Sequence, residues 1–122
     1  MRHAQIITYG VEGKLLTQVQ SWAERFRSGL RTTRHAEGCL SWLQKAGASL
    51  VLLKTGRDLE VELTLLENIS TFHPEIATFV LGDADHPPLA NLAWDLGAVC
   101  VFIPLQSFEH LREAADPWLA TP

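Results

Sequence analysis

The chain has 122 residues, of which 47% are hydrophobic and 20% charged, and its formal net charge is −4. These values predict one soluble globular domain over residues 1–122, because a fold of this length buries roughly two-thirds of the surface that its unfolded chain exposes. No apolar stretch approaches the ~20 residues that span a bilayer. The negative net charge argues against a nucleic-acid surface, which needs clustered Lys and Arg. The sequence opens without an apolar leader, so we expect a cytoplasmic protein.

Strand-like and helix-like segments alternate five times along the chain. Strands are predicted at residues 5–9, 30–35, 49–53, 76–81 and 99–103. Helices are predicted at residues 14–26, 39–46 (closed by Gly47), 59–69 and 89–96, with a last one that starts at Ser107. Pro117 should break that last helix, because proline lacks an N–H and its ring clashes with the preceding turn. We therefore expect the last helix to be short.

Five βα units of this length predict a three-layer α/β sandwich, in which a five-stranded parallel sheet has helices on both faces. The third strand is apolar on both faces and belongs at the centre of the sheet. A flavodoxin-like strand order of 2-1-3-4-5 fits best. In that order a crevice opens between the carboxyl ends of the first and third strands, where Tyr9-Gly10-Val11 and Lys54 emerge. We expect any ligand site there.

Three segments resemble the receiver domain of bacterial response regulators. They are residues 36–40 (AEGCL), 48–53 (ASLVLL) and 97–105 (GAVCVFIPL). Their order and spacing are more specific than any one of them alone, and the resemblance extends over nearly the whole chain. It implies a flavodoxin-like, receiver-like fold and a role in two-component signal transduction.

The same resemblance implies that the catalytic positions of the family have been lost. Lys54 stands where receivers carry the phosphoacceptor aspartate, and the acidic pair falls within Tyr9, Gly10 and Val11, none of which is a carboxylate. Gly82 takes the position of the switch hydroxyl. Pro104 takes the position of the essential lysine, and Leu105 that of the following proline. The chain is therefore expected to be a degenerate member, a pseudo-receiver.

Phosphoryl transfer to aspartate requires a carboxylate nucleophile, a divalent cation held by further carboxylates, and groups that stabilise the phosphoryl oxygens. An ammonium at Lys54 cannot act as that nucleophile, and it would repel Mg²⁺. We therefore expect no phosphorylation at the usual site, no Mg²⁺, no cofactor and no enzymatic activity. The favoured function is a signalling module that binds a protein partner or a second copy of itself.

An alternative is a flavodoxin-like domain that binds a small anionic or phosphorylated ligand in the crevice. Residues 10–13 (GVEG) precede a helix whose free amides could receive a phosphate. The candidate anion-binding residues are Gly10, Gly13 and Lys54. In the family that the chain resembles, Lys54 could instead act as a permanent positive charge where the phosphorylated state is recognised, paired with Asp58, Asp83 or Glu12. The simpler interpretation is an ordinary strand-to-helix turn and a lysine that reaches solvent.

An acid-and-histidine cluster, Asp83, Asp85 and His86, follows the fourth strand. It could ligate a metal or supply an acid and a base, but turn and capping chemistry is the better interpretation, because Asp favours turns and Pro87 and Pro88 can begin a helix.

Trp94 is the candidate interface residue. It lies roughly 140° around its helix from Leu89, which belongs to the predicted inward stripe of Leu89, Leu92, Ala93 and Leu96. It should therefore point outward. In the family that the chain resembles, the face formed by helix four, strand five and helix five is the usual partner surface, so we expect contacts there.

Overall fold

The computed structural model describes residues 5–46 and 50–120. Over these residues strands and helices alternate in the order β1 (Gln5–Tyr9), α1 (Gly13–Arg25), β2 (Gly29–Thr33), α2 (Ala36–Ala46), β3 (Leu50–Lys54), α3 (Leu59–Phe72), β4 (Ala77–Leu81), α4 (Pro87–Asp95), β5 (Cys100–Phe102) and α5 (Phe108–Ala120). The predicted alternation is confirmed. The predicted helix end at Gly47 and strand start at Ser49 lie outside the described residues.

The strands form one parallel sheet in the order β2-β1-β3-β4-β5, which confirms the predicted order and the flavodoxin-like fold. In the register, Ile6 lies opposite Leu50, and Leu52 lies opposite Phe79. The central strand β3 is buried at four of its five residues, as its apolar sequence predicts. The Thr- and Arg-containing β2 is at one edge, where half of the backbone polar groups can reach water.

A hydrophobic core lies on each face of the sheet, because successive strand residues point to opposite faces. On one face α2, α3 and α4 cover a core that includes Ile7, Val51, Leu53, Val80, Leu66 and Ala93. On the other face α1 and α5 cover a core that includes Ile6, Leu50, Leu52, Phe79, Trp22 and Leu111. The result is the predicted three-layer sandwich.

The prediction of a short last helix was wrong, because α5 continues through Pro117 to Ala120. Leu111, Ala115 and Leu119 are buried at four-residue spacing and pack in the core that α1 also covers. Pro117 is on the exposed side of the helix. Packing of the apolar stripe therefore outweighs the unfavourable effect of one proline near the end of the helix.

Candidate functional site

The crevice lies at the carboxyl edge of the sheet, between β1 and β3. After β1 the chain enters α1 on one face of the sheet, and after β3 it enters α3 on the other, so the loops diverge and leave a cavity of about 190 Å³. Strand ends and loops line it with ten residues: Tyr9, Gly10, Glu12, Arg34, Lys54, Thr55, Gly56, Arg57, Glu62 and Asp83. The cavity lies where the sequence predicted a site.

Lys54 ends β3 and turns its ammonium group toward the end of β4. Its Nζ donates a hydrogen bond to Asp83 Oδ2 at 2.9 Å, and the two side chains are 21% and 87% exposed. Of the three acids considered as partners for Lys54, the structure selects Asp83. Asp58 instead accepts a hydrogen bond from the amide of Val61 and caps α3.

The end of β1 brings no carboxylate to the crevice. Tyr9 is buried, and the pKa of its phenol is raised by burial and by the nearby negative charges of Glu62 and Asp58. Val11 is buried in the core that α1 and α5 cover. Gly10 has a φ of +71°, and a Cβ on it would lie 3.2 Å from the Lys54 carbonyl oxygen, so a side chain there would be both strained and crowded.

Three carboxylates do line the cavity, but each is bonded to other groups. Glu12 pairs with Arg34 at 2.8 Å and lies 3.9 Å from Arg57, and Asp83 pairs with Lys54. The third is Glu62, which accepts hydrogen bonds from three backbone amides. Within residues 5–46 and 50–120, no group of three or more His, Cys, Asp or Glu side chains is arranged to hold a metal ion.

Glu62 is a site residue that the sequence analysis missed. Its side chain is 1% exposed, and its two carboxylate oxygens accept from the amides of Gly56, Arg57 and Asp58 at 2.9 to 3.2 Å. The carboxylate thus fixes the loop between β3 and α3. The helical period of the sequence could have indicated its burial. Glu62 precedes the buried Leu65 and Leu66 by three and four residues, so it falls on the inward face of α3.

The ends of β4 and β5 meet at Gly82. Its amide donates to the Phe102 carbonyl, and its own carbonyl accepts from the Leu105 amide at 2.8 Å. A Cβ on Gly82 would lie 3.1 Å from the side chain of Ile103, which precedes Pro104 through a cis peptide bond. The side chains beside Gly82 are therefore those of Ile103 and Thr55, whose hydroxyl oxygen would lie 3.3 Å from that Cβ. The sequence analysis did not single out Ile103.

Gly13 and His86, which were also considered as site residues, lie outside the lining of the cavity. Gly13 has a φ of +66° at the start of α1, but it is outside the lining of the cavity, so Gly10 and Lys54 meet there without it. His86 is the N-cap of α4, and its Nδ1 accepts from the Leu89 amide at 3.0 Å. His86 thus provides the cap, and Pro87 and Pro88 form the first turn, as the capping interpretation expects. Asp83 has a different role, because it pairs with Lys54.

Trp94 lies on α4 and is 50% exposed, which confirms the predicted outward orientation. Leu92 was predicted to point inward but is also exposed, while Leu89 and Ala93 are buried. The inward face of α4 is therefore narrower than predicted. The end of α4 leads to the start of β5, so Trp94 lies toward the opposite edge of the sheet from the crevice.

Solved structures that are similar to this chain include receiver domains and response regulators. A response regulator from Thermotoga maritima matches with a TM-score of 0.82 at 15% identity, over 98% of this chain and 100% of that chain. A CheY-like receiver domain protein from Methanospirillum hungatei JF-1 gives 0.77 at 14% identity, over 96% and 97%. NtrX from Brucella abortus, solved in complex with ADP, gives a TM-score of 0.77 at 21% identity. That match covers 97% of this chain but only 26% of the NtrX chain.

The chain therefore has the fold of response-regulator receiver domains. No protein-family model and no curated protein matches its sequence. Over the described parts of the chain, none of the helices combines the length and the hydrophobicity needed to cross a membrane.

Proposed function

We propose that this chain is a single receiver-like signalling module that acts through protein–protein interaction and without phosphorylation at the usual position. The observation that carries the proposal is the ion pair between Lys54 and Asp83 at the end of the central strand. An ammonium occupies the strand end from which a receiver presents its carboxylate, and it is already bonded to Asp83, in the loop that follows the neighbouring strand β4. The module would work in the cytoplasm, in signalling of the two-component type.

The electrostatics of the crevice support this proposal. Lys54, Arg34 and Arg57 all line the cavity, and their positive charges oppose the binding of a divalent cation. The acids that could recruit Mg²⁺ are paired with cations or with backbone amides. We expect no aspartyl phosphate, no Mg²⁺ site and no catalysis by the domain itself.

The phosphorylation test uses acetyl phosphate and Mg²⁺, with mass spectrometry to detect an added phosphoryl group. We expect no acyl phosphate on the wild type. We expect none on Lys54→Asp either, because the end of β1 brings no carboxylate that could hold the metal. A hydroxylamine-labile phosphoryl group on the wild type, or a Mg²⁺ dissociation constant in the micromolar range, would contradict the proposal.

The proposed interaction surface is the face made by α4, β5 and α5, with Trp94 as its anchor. Tryptophan is enriched among the residues that dominate interface energetics, because it buries a large area with few rotatable bonds. Trp94 is half exposed, and the exposed Leu92 and Val99 lie within seven residues of it along the chain. The occupant would be a second copy of the chain or a protein partner.

The interface test is light scattering coupled to size-exclusion chromatography over a range of protein concentrations. We expect self-association of the wild type to weaken in Trp94→Ala. The matched control is Phe72→Ala, which removes an aromatic side chain that is 71% exposed on α3, outside the proposed face. If the wild type and Trp94→Ala are both monomeric throughout and capture the same proteins from a lysate, the proposed surface is wrong.

A further inference from the structure

We propose that the crevice is a phosphate-binding site that needs no metal, built by Arg34, Lys54 and Arg57. This goes beyond the signalling function proposed above, because it gives the module a small regulatory ligand of defined chemistry. The ligand class is a phosphomonoester, with its dianionic phosphate held among the three cationic side chains.

The three cations come from three different segments of the chain. Arg34 follows β2, Lys54 ends β3, and Arg57 belongs to the loop before α3. All three line the same cavity of about 190 Å³. Gly10 and Gly56 line it too, and neither has a side chain that would fill the cavity. Their amides are bonded to the Thr33 carbonyl and to Glu62, so the three cationic side chains would provide the donors for a ligand.

The acids that neutralise these cations are easily displaced. Asp83, the partner of Lys54, is 87% exposed, and Glu12, which lies between Arg34 and Arg57, is 49% exposed. Exposed ion pairs contribute little to stability, because water and salt screen them and the side chains lose entropy on pairing. A phosphate that takes the places of the two carboxylates therefore gives up little and gains a doubly charged acceptor.

The geometry of the cations suits phosphate better than a carboxylate. Arginine presents a planar set of donors that bonds two phosphate oxygens at once, and charge-assisted hydrogen bonds of this kind are about twice as strong as neutral ones. Arg34 and Arg57 lie on either side of one carboxylate, that of Glu12, at 2.8 and 3.9 Å, so the two arginines can face one phosphate in the cavity that Lys54 also lines. Glu62 adds a negative charge to the lining, but its oxygens are already bonded to three backbone amides.

The size of the cavity limits what it can hold. A volume of about 190 Å³ is below the range of roughly 300 to 1,000 Å³ typical of small-molecule pockets, so it takes the phosphate and little more. A second, open cleft of about 600 Å³ shares Tyr9, Arg34 and Arg57 with the cavity and continues along His35 and Val61. The organic part of the phosphomonoester would lie in this cleft.

The test is isothermal titration with inorganic phosphate and with glycerol phosphate, at constant ionic strength and with EDTA present. We expect saturable binding that is tighter for the ester. Arg57→Gln, Arg34→Gln and Lys54→Gln should each weaken it by about tenfold or more, because each removes a charge-assisted hydrogen bond. The control is Arg25→Gln, which removes an exposed arginine at the end of α1, at the opposite edge of the sheet.

A gain of affinity separates a ligand site from a structural ion-pair network. Glu12→Gln and Asp83→Asn remove the competing acids and should tighten phosphate binding several-fold, whereas a structural network predicts no such gain. The proposal is overturned if phosphate binds no better than chloride, if Arg57→Gln binds it as Arg25→Gln does, or if the ester binds no more tightly than inorganic phosphate. None of these outcomes bears on self-association through Trp94, so this proposal and the proposed function can fail separately.

Discussion

Glu62 fixes the loop that leads from the central strand to α3. Its buried carboxylate accepts three backbone hydrogen bonds, and hydrogen bonds to a charged group contribute ~1.5–3 kcal/mol each, with part of that shared among neighbours. We expect Glu62→Ala to lower the free energy of unfolding by ~2–4 kcal/mol, because three amides lose their acceptor. Urea denaturation measures this loss. Glu67→Ala, at an exposed position of the same helix, is the control, and an equal loss in both variants would contradict the assignment.

Cys39 makes the stability of the fold depend on alkaline pH. Burial raises the pKa of its thiol from 9.0 to about 12. An unfolded chain therefore loses the thiol proton above pH 9, while the folded chain keeps it until about pH 12, so the stabilisation falls as pH rises through this window. The slope is at most about 1.4 kcal/mol per pH unit.

Denaturation of the wild type and Cys39→Ala from pH 8 to pH 11 tests this dependence. The stability of the wild type should fall more steeply with pH. Tyr9 and Cys100 also have raised pKa values and add a slope of the same sign. The slope from Cys100 is common to both proteins, whereas Cys39 itself contributes to the raised pKa of Tyr9, so any change at Tyr9 also traces back to Cys39. Parallel curves would show that Cys39 is not the group responsible.

Among individual residues, the sequence predicted positions but not contacts. The location of Lys54 follows from the end of an apolar strand, and the exposure of Trp94 follows from the helical period. The sequence offered three acids as partners for Lys54, and the choice of Asp83 depends on the path of the loop after β4. The helical period places Glu62 on the inward face of α3, but the three amides that it bonds depend on the path of the loop before α3. Loop paths carry no periodicity, so hydrophobic patterning could not give these contacts.

Gly97 is required where the end of α4 packs against α3. Its φ is +109°, and a Cβ on it would lie 2.5 Å from the Cβ of Ser70, whose hydroxyl donates to the Leu96 carbonyl at 2.6 Å. Gly97→Ala should therefore combine backbone strain with a steric clash. Gly56→Ala isolates the strain, because Gly56 has a φ of +126° and a Cβ added to it would meet nothing within 4 Å.

Thermal and urea unfolding of these variants separate the two effects. We expect Gly56→Ala to cost ~1–3 kcal/mol, the usual range for an unfavourable backbone conformation. Gly97→Ala should cost ~1–3 kcal/mol more, as overpacked sites do. Ser70→Gly should recover part of the extra cost when it is combined with Gly97→Ala. Equal costs for the two alanine variants would mean that α3 moves aside freely.

At the level of elements, strand and helix types were predictable while their ends were less so. The first turn of α2 has polar and small residues, so apolar periodicity placed its start at Cys39, three residues after the actual start at Ala36. Pro117 suggested an early end to α5, but the buried stripe of Leu111, Ala115 and Leu119 continues past it. Tertiary packing outweighed local preference in α5, and such packing is not visible in a local pattern.

On the scale of the whole molecule, the two cores share one sheet, and this makes a prediction about cooperativity. Leu52 and Leu53 are adjacent, fully buried and on opposite faces of β3. Leu52→Ala and Leu53→Ala should each cost ~2–5 kcal/mol, since each leaves a cavity in a packed core. If residues 5–46 and 50–120 form one domain, each variant unfolds in a single transition that circular dichroism and tryptophan fluorescence report at the same urea concentration. Leu59→Ala, at an exposed position, controls for the substitution itself. Two separate transitions in either core variant would show that the faces unfold independently, and that the sheet does not couple them into one domain.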